Sequence, residues 1–318
     1  MHNQRFLPFL TAAVLGLGST ALADKPQEAP ARPLRILLTS DDGINASGLR
    51  TLRDVLCGAG HEVTVVAPTV DRSGTSAALT LNVAMRGIRS EFACGAGRGV
   101  AFAVTGTPSD AVLFGLSVAY GEQPPDLVVS GLNLGQNVGR AVNHSGTVGA
   151  AVTAAEEGVP SIAISVGLNM ADAGTGFSQT VAAASHAAAY VKSLAEHLRD
   201  TAGEGGRLLP DRVALNVNYP VVLDAAGRFN PALLQEPRVT VVGHAHVVRP
   251  TYVRVPNTAD TYHALGPICG LQTACVPETQ PDADTTALDE GAISLTPLSV
   301  DGTERPELRP RLRVRLRR

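Results

Sequence analysis

The stretch that most constrains this chain is Ile36 to Gly48, Ile-Leu-Leu-Thr-Ser-Asp-Asp-Gly-Ile-Asn-Ala-Ser-Gly. The short apolar run Ile36 to Leu38 has the character of a buried parallel strand, and it breaks into two adjacent acids before a glycine turn and a helix. Asp41 and Asp42 therefore fall at a strand's carboxyl end. Open α/β sheets bind ligands there, because the helices that begin there present N–H groups without partners. Neighbouring carboxylates repel, and a divalent cation relieves that repulsion and lets both ionise. The competing use of the pair is structural, with Asp41 in the turn and Asp42 capping the helix. This stretch alone does not choose between them.

The chain continues in alternating units. Leu49, Leu52, Val55 and Leu56 share one helical face that ends near Gly58 and Gly60, and Val63 to Ala67 forms a second strand stopped by Pro68. The loop Thr69 to Ser76 again follows a strand and is rich in hydroxyls; Arg72 and Ser73 have the chemistry to bind an oxyanion or complete a metal shell, or simply to turn. Residues 77 to 104 alternate like a hairpin around the glycine-rich Cys94 to Gly99. Thr107 to Asp110 opens a helix predicted over Ala111 to Val118, with Pro108 early in it and Ser109 or Asp110 as its cap.

Asp126 to Asn133 is a further buried strand, and Ser145-Gly146-Thr147 starts an alanine-rich helix running to about Gly158. A Ser-Gly-Thr at a helix start offers N–H groups, two hydroxyls and the positive end of the dipole, which suits a phosphate, although Ser145 also serves as an ordinary N-cap. No G-x-G-x-x-G follows a strand, so a dinucleotide fold has little support. Ser161 to Val166 and Val213 to Val217 are predicted strands around the long helix Ser178 to Arg199. Beyond Pro220, Val239 to Val255 alternates like antiparallel strands with His244 and His246 on one face, and Ala292 to Leu298 is a last strand. His61, His186 and His197 are expected to be structural or solvated.

The first residues have the charged, apolar and A-x-A order of a secretory signal peptide, with cleavage expected after Ala23 and a periplasmic or secreted product. A proline-rich leader occupies residues 24–33, an α/β core 34–220, a β-rich extension returning to the core 221–300, and a basic tail 301–318. The 26 Lys and Arg, less Arg5 in the signal, leave 25 against 29 Asp and Glu. That balance gives no footprint for nucleic acid polymers, and no later run is long enough to anchor the mature chain in a membrane. Four cysteines in an exported chain make two disulfides the expectation. Cys269 and Cys275, flanking a short loop, are the favoured pair, while Cys57 with Cys94 needs the fold to bring them together. With no C-x-x-C, zinc is the weaker use.

Asp41, Asp42, Ser73, Asn133 and Ser145 to Thr147 all fall just past strands or at helix starts, and a doubly wound sheet gathers such positions into one crevice. Two carboxylates with neutral oxygen donors suit Mg²⁺ or Mn²⁺. In order along the chain, Thr39-Ser-Asp-Asp-Gly43, Val65-Val-Ala-Pro68, Arg72-Ser-Gly-Thr-Ser76, Gly106-Thr-Pro-Ser-Asp110, Val129-Ser-Gly-Leu-Asn133, Ser145-Gly-Thr147 and Asp289 to Leu298 resemble the SurE-type (survival protein E) 5′/3′-nucleotidases. The resemblance implies a Rossmann-like, doubly wound and mostly parallel sheet. It also implies a metal-dependent phosphomonoesterase acting on nucleoside monophosphates, and a homodimer or homotetramer whose C-terminal segments reach across to partner subunits.

Carried over by position, the resemblance makes Asp41, Asp42, Ser73 and Asn133 the metal shell, Ser145, Gly146 and Thr147 the phosphate turn, and Asp42, Asn137 and Ser145 catalytic. Asp42 is the carboxylate expected to orient the attacking water, with a phospho-aspartyl route on Asp41 or Asp42 left open. Two positions depart from the family's pattern. Ser40 stands where it usually has Asn, with an altered second layer of hydrogen bonds as the expected effect. His144 stands where it often has an aromatic residue, and an imidazole there has the chemistry to protonate a leaving oxygen. The alternatives kept are a broad acid phosphatase or exopolyphosphatase and, from another class, a nucleotide-binding protein without turnover.

Overall fold

The computed structural model describes residues 32–202, 205–246, 248, 250–266, 269 and 276–301. The expected signal peptide and nearly all of the leader and basic tail lie outside them. The described fold belongs to a single compact unit, Pro33–Arg318.

Eleven strands and five α-helices follow in order: β1 Arg35–Thr39, α1 Ser47–Gly58, β2 Glu62–Pro68, β3 Gly87–Cys94, β4 Gly97–Val104, α2 Pro108–Phe114, β5 Leu127–Leu134, α3 Gly146–Glu156, β6 Ser161–Val166, α4 Ser178–Asp200, β7 Val213–Tyr219, β8 Gln235–Val239, β9 Thr251–Arg254, β10 Tyr262–Leu265, α5 Asp284–Asp289 and β11 Ala292–Ser299. Nine strands form one sheet in the order β3-β4-β2-β1-β5-β6-β7-β11-β8, and β9 and β10 form a separate ribbon. The six strands from β4 to β7 are mutually parallel. β3 is antiparallel to β4 and β11 to β7. This is the α/β, mostly parallel, doubly wound architecture expected.

The alternation along β1 builds two cores at once. Leu34, Ile36 and Leu38 pack with α1 and α4 on one face of the sheet. Leu37 packs with Val66, Val128 and the buried side chains of α2 and α3 on the other. A strand covered on both faces must be apolar throughout, which is why Ile36 to Leu38 is continuous rather than alternating. From β1 the chain winds outward to β2 and β4, then returns to β5 on the other side of β1 and winds outward to β7. The strand order therefore reverses between β1 and β5, and a crevice opens at their carboxyl ends.

Three local expectations are corrected. α2 starts at Pro108, is capped by Thr107 rather than Ser109 or Asp110, and gives way to a wider π-helical turn over Gly115–Tyr120. Asp110 serves as the reciprocal half of the capping box: its carboxylate accepts the Thr107 N–H at 2.8 Å while the Thr107 hydroxyl accepts the Asp110 N–H at 3.1 Å. Asn133 lies inside β5, not just past it. Among the described residues between Val239 and Thr251 no strand forms. The Glu278 carboxylate takes the N–H groups of His244 and Ala245 at 2.9–3.0 Å, so a side chain replaces the sheet partner that alternation implied. Cys57 and Cys94 form a disulfide, Cα–Cα 4.7 Å, that ties the end of α1 to the β3–β4 hairpin. Cys269 is also disulfide-bonded, and Cys275 lies outside the described residues.

Candidate active site at the sheet's switch point

Thr39 on β1 pairs in register with Ser130 on β5, so the turn carrying Asp41 and Asp42 emerges beside the strand carrying Asn133. Asp41 is buried, and its Oδ1 accepts a hydrogen bond of 2.6 Å from the Thr147 hydroxyl, 106 residues away in sequence. That bond joins the acidic turn to the first turn of α3. Gly146 makes the approach possible: a Cβ there would lie 2.9 Å from the Asp41 Cβ and 3.0 Å from its Oδ2, so no larger residue fits without moving the carboxylate. The Arg72 N–H donates to the Asp41 carbonyl at 2.7 Å, which brings the Ser73 loop to the same place. Gly149, one turn into α3, lets that loop lie against the helix, since a Cβ would stand 2.3 Å from the Ser76 carbonyl.

Ser145 caps α3, its Oγ accepting the Val148 N–H at 3.1 Å. The cap is therefore real, and the hydroxyl proton remains to be given to an anion at the positive end of the helix. Asn133 spends its side-chain nitrogen on the Gly135 carbonyl at 2.6 Å, so its oxygen is the atom it offers a cation. The Ser40 hydroxyl accepts the Asp42 N–H at 3.3 Å, in the turn behind the acids. His144 is exposed, and its carbonyl accepts the Ser76 N–H at 3.2 Å.

Asn137 is held more rigidly than any other candidate. Its N–H donates to Asn218 Oδ1 at 2.8 Å, its carbonyl accepts from the amides of Asn216 and Asn218 at 2.8 and 3.2 Å, and its own amide nitrogen donates to Ser165 Oγ at 2.8 Å. Sequence reasoning missed this clamp, although two asparagines at alternate positions of an apolar strand were its signal. It also missed Asp71, whose carboxylate takes the Ser73 N–H at 2.7 Å and whose charge reaches both Asp41 and Asp42.

Burial raises the Asp41 carboxyl above the ordinary range against the hydrogen bonds that lower it. Asp42 is pushed up to about 6 by burial first, then by the charges of Asp41 and Asp71. Among the described residues no three His, Cys, Asp or Glu side chains group closely enough to bind a metal by themselves. The candidate donor set is thus two adjacent carboxylates, with the Ser73 hydroxyl and the Asn133 amide oxygen carried by the neighbouring loop and strand. That set fits a hard divalent cation and does not fit zinc.

Fold and site together define a doubly wound α/β protein in which an acidic turn faces the first turn of α3 at the switch point. The Survival protein SurE family model matches residues 36–248. A 5′-nucleotidase SurE of Gloeobacter violaceus is 36% identical over 274 residues, covering 86% of this chain and 92% of the relative. One from Desulfatibacillum aliphaticivorans is 39% identical, covering 85% and 94%. The crystal structure of SurE protein from Aquifex aeolicus superposes with a TM-score of 0.60 at 26% identity, covering 88% of this chain and 98% of that one. The chain belongs to the SurE family.

Proposed function

We propose that this protein is a nucleotidase, a metal-dependent phosphomonoesterase that releases phosphate from nucleoside 5′-monophosphates, 3′-monophosphates or both. The observation that carries the reading is the Asp41–Thr147 hydrogen bond, which ties the paired carboxylates to the Ser-Gly-Thr start of α3. The names of the SurE relatives support the 5′-nucleotide as substrate.

Asp41 and Asp42, with Ser73 and Asn133, are the residues that would hold Mg²⁺ or Mn²⁺. When bound, the cation would supply charge to the phosphoryl oxygens and acidity to a water. The chain's own groups do the rest. The first-turn N–H groups of α3 and the Ser145 hydroxyl receive the phosphoryl oxygens, and Thr147 keeps Asp41 turned toward them. Asp42, the less buried acid, takes the proton of the incoming nucleophile. Asn137, fixed at backbone and side chain, lends its remaining amide hydrogen to the same oxygens.

The deciding experiment is phosphate release from a panel of 5′- and 3′-nucleotides in EDTA, Mg²⁺ or Mn²⁺, by wild type and Asp42→Asn. Metal-dependent release lost in the variant is expected; no release from any phosphoester by folded protein would overturn the reading. Export is part of the proposal, supported by the signal-like order of residues 1–23 and by the Cys57–Cys94 disulfide, a bond favoured in oxidising compartments. Assembly into a homodimer or homotetramer is supported by the β9–β10 ribbon, where Tyr252 and Val253 are 71% and 52% exposed. Light scattering of the purified protein reads that directly.

A further inference from the structure

Asp284 is a buried acid that the phosphate chemistry of the crevice does not use. It opens α5, has no exposed surface, and the neighbouring charge it feels is that of another acid, Glu278. A carboxylate placed so is costly, and packing alone would be served as well by an apolar side chain. What the carboxylate adds is the power to accept from several backbone segments at once. Its two oxygens share the Gly139 N–H at 3.1 and 3.2 Å, from 145 residues away, and Oδ1 also accepts the N–H groups of Gly243 and Thr285, each at 2.8 Å.

Gly139 is where that hold matters. It lies two residues past Asn137 and begins the short 3₁₀ turn Gly139–Asn143, in which the Ala141 carbonyl accepts the N–H groups of His144 and Ser145 at 3.0 and 3.1 Å. Asn137 and the Ser145 cap are thus the two ends of one short segment, with Gly139 between them. The other face of that segment is held as well. Gly243, His244 and Ala245 give three successive N–H groups to Asp284 and Glu278. The carbonyls of His244 and Ala245 accept the Arg140 Nε and backbone N–H at 2.9 and 3.1 Å. A Cβ on Gly139 would stand 2.5 Å from the Ala245 carbonyl oxygen, so the segment and the loop leave no slack between them.

We infer that Asp284 is a positioning residue for the phosphate: by holding the Gly139 N–H it sets the spacing between Asn137 and Ser145. The inference rests on the nucleotidase reading and adds to it a residue from outside the crevice, on the C-terminal extension. Asp284 touches no reacting atom. Its leverage is geometric, since a displacement of about 1 Å at a reacting group can cost roughly a hundredfold in rate.

The test compares full-length wild type, Asp284→Asn and Thr240→Val. Asp284→Asn keeps the shape and turns one acceptor oxygen into a donor. Thr240→Val breaks the buried Thr240–Thr296 hydroxyl contact of 2.8 Å, which belongs to the same extension and does not involve residues 137–145. In Asp284→Asn, kcat is expected to fall at least about tenfold with a smaller change in KM, and inorganic phosphate, titrated by calorimetry with Mg²⁺ present, to bind at least about tenfold more weakly. In Thr240→Val the melting temperature is expected to fall while kcat and phosphate affinity stay within about twofold of wild type. Should Asp284→Asn not fold, wild type alone decides: phosphate is expected to slow hydrogen exchange of the Gly139 N–H at least about tenfold more than that of Leu298 on β11. Phosphate affinity unchanged in Asp284→Asn, equal losses in the two variants, or Gly139 exchange that phosphate does not slow overturns the inference. Phosphate affinity lost in Asp284→Asn alone, in a protein that hydrolyses no phosphoester, supports the positioning role and removes the hydrolytic reading instead.

Discussion

Asp42 is a partly buried acid beside two others, and burial first, then the charges of Asp41 and Asp71, raise its pKa. A carboxyl at about 6 in the folded chain and near 3.8 in the unfolded one binds its proton more tightly when folded. The native state of metal-free protein is therefore favoured by this group below pH 4 and loses that advantage as pH rises through 6. The loss stays well below the ceiling of about 3 kcal/mol that 2.2 pH units at about 1.4 kcal/mol each would set, because solvent screens a partly exposed carboxyl. Urea melts between pH 4 and 7 are expected to show wild type falling relative to Asp42→Asn, and Mg²⁺ or Mn²⁺ is expected to cancel the fall. In assays the same substitution is expected to cost at least about a hundredfold in phosphate release. His144 is tested by its family-like replacement: if its imidazole donates a proton, His144→Phe removes one limb of the pH–rate profile.

At the scale of elements, the site depends on how closely α3 lies against two loops. Gly149→Ala would put a methyl carbon 2.3 Å from the Ser76 carbonyl, and backbone rather than a flexible side chain would have to yield. We expect a stability loss of about 1–3 kcal/mol by thermal melting, with a larger proportional loss of metal affinity because the displaced loop carries Ser73. Much of this element-level design was legible in the residues. Ile36 to Leu38, Ser145 and the Asp-Asp turn announce strand, cap and crevice through local rules of periodicity and capping. The clamp on Asn137 was not legible, because Asn216 and Asn218 reach it from 79 and 81 residues away and no local rule links them. Glu278 escaped for the same reason. A carboxylate accepting N–H groups from distant residues leaves no period in a sequence, and the alternation around His244 suggested a strand in its place.

For the whole molecule, two devices hold the edges of the fold. The Cys57–Cys94 bond closes a loop of separation 37 and is expected to contribute about 2–4 kcal/mol, read as the difference in melts between wild type and the Cys57→Ser, Cys94→Ser double variant. At the opposite end of the sheet, Glu278 is held down to about 2: its desolvation pushes the other way and is outweighed by the N–H groups of Gln280, Ala245 and His244 and by the Thr285 hydroxyl. A depressed carboxyl stabilises the fold above its unfolded pKa of about 4.5 and ceases to as pH falls toward 2. Hydrogen exchange at His244 and Ala245 is expected to accelerate over that acidic window in wild type, and to be fast already at neutral pH in Glu278→Gln.

The sheet order carries a consequence for how the chain is made. β8 leads β11 by more than fifty residues in sequence, yet in the sheet β11 lies between it and β7. A chain emerging from its N-terminus can lay down every parallel strand from β4 to β7 as it appears, but β8 must wait as an orphan until the last strand has been threaded into the gap. Completion of the sheet is thus deferred until β11 has emerged, and a product stopped anywhere before Ala292 forfeits two strands rather than one.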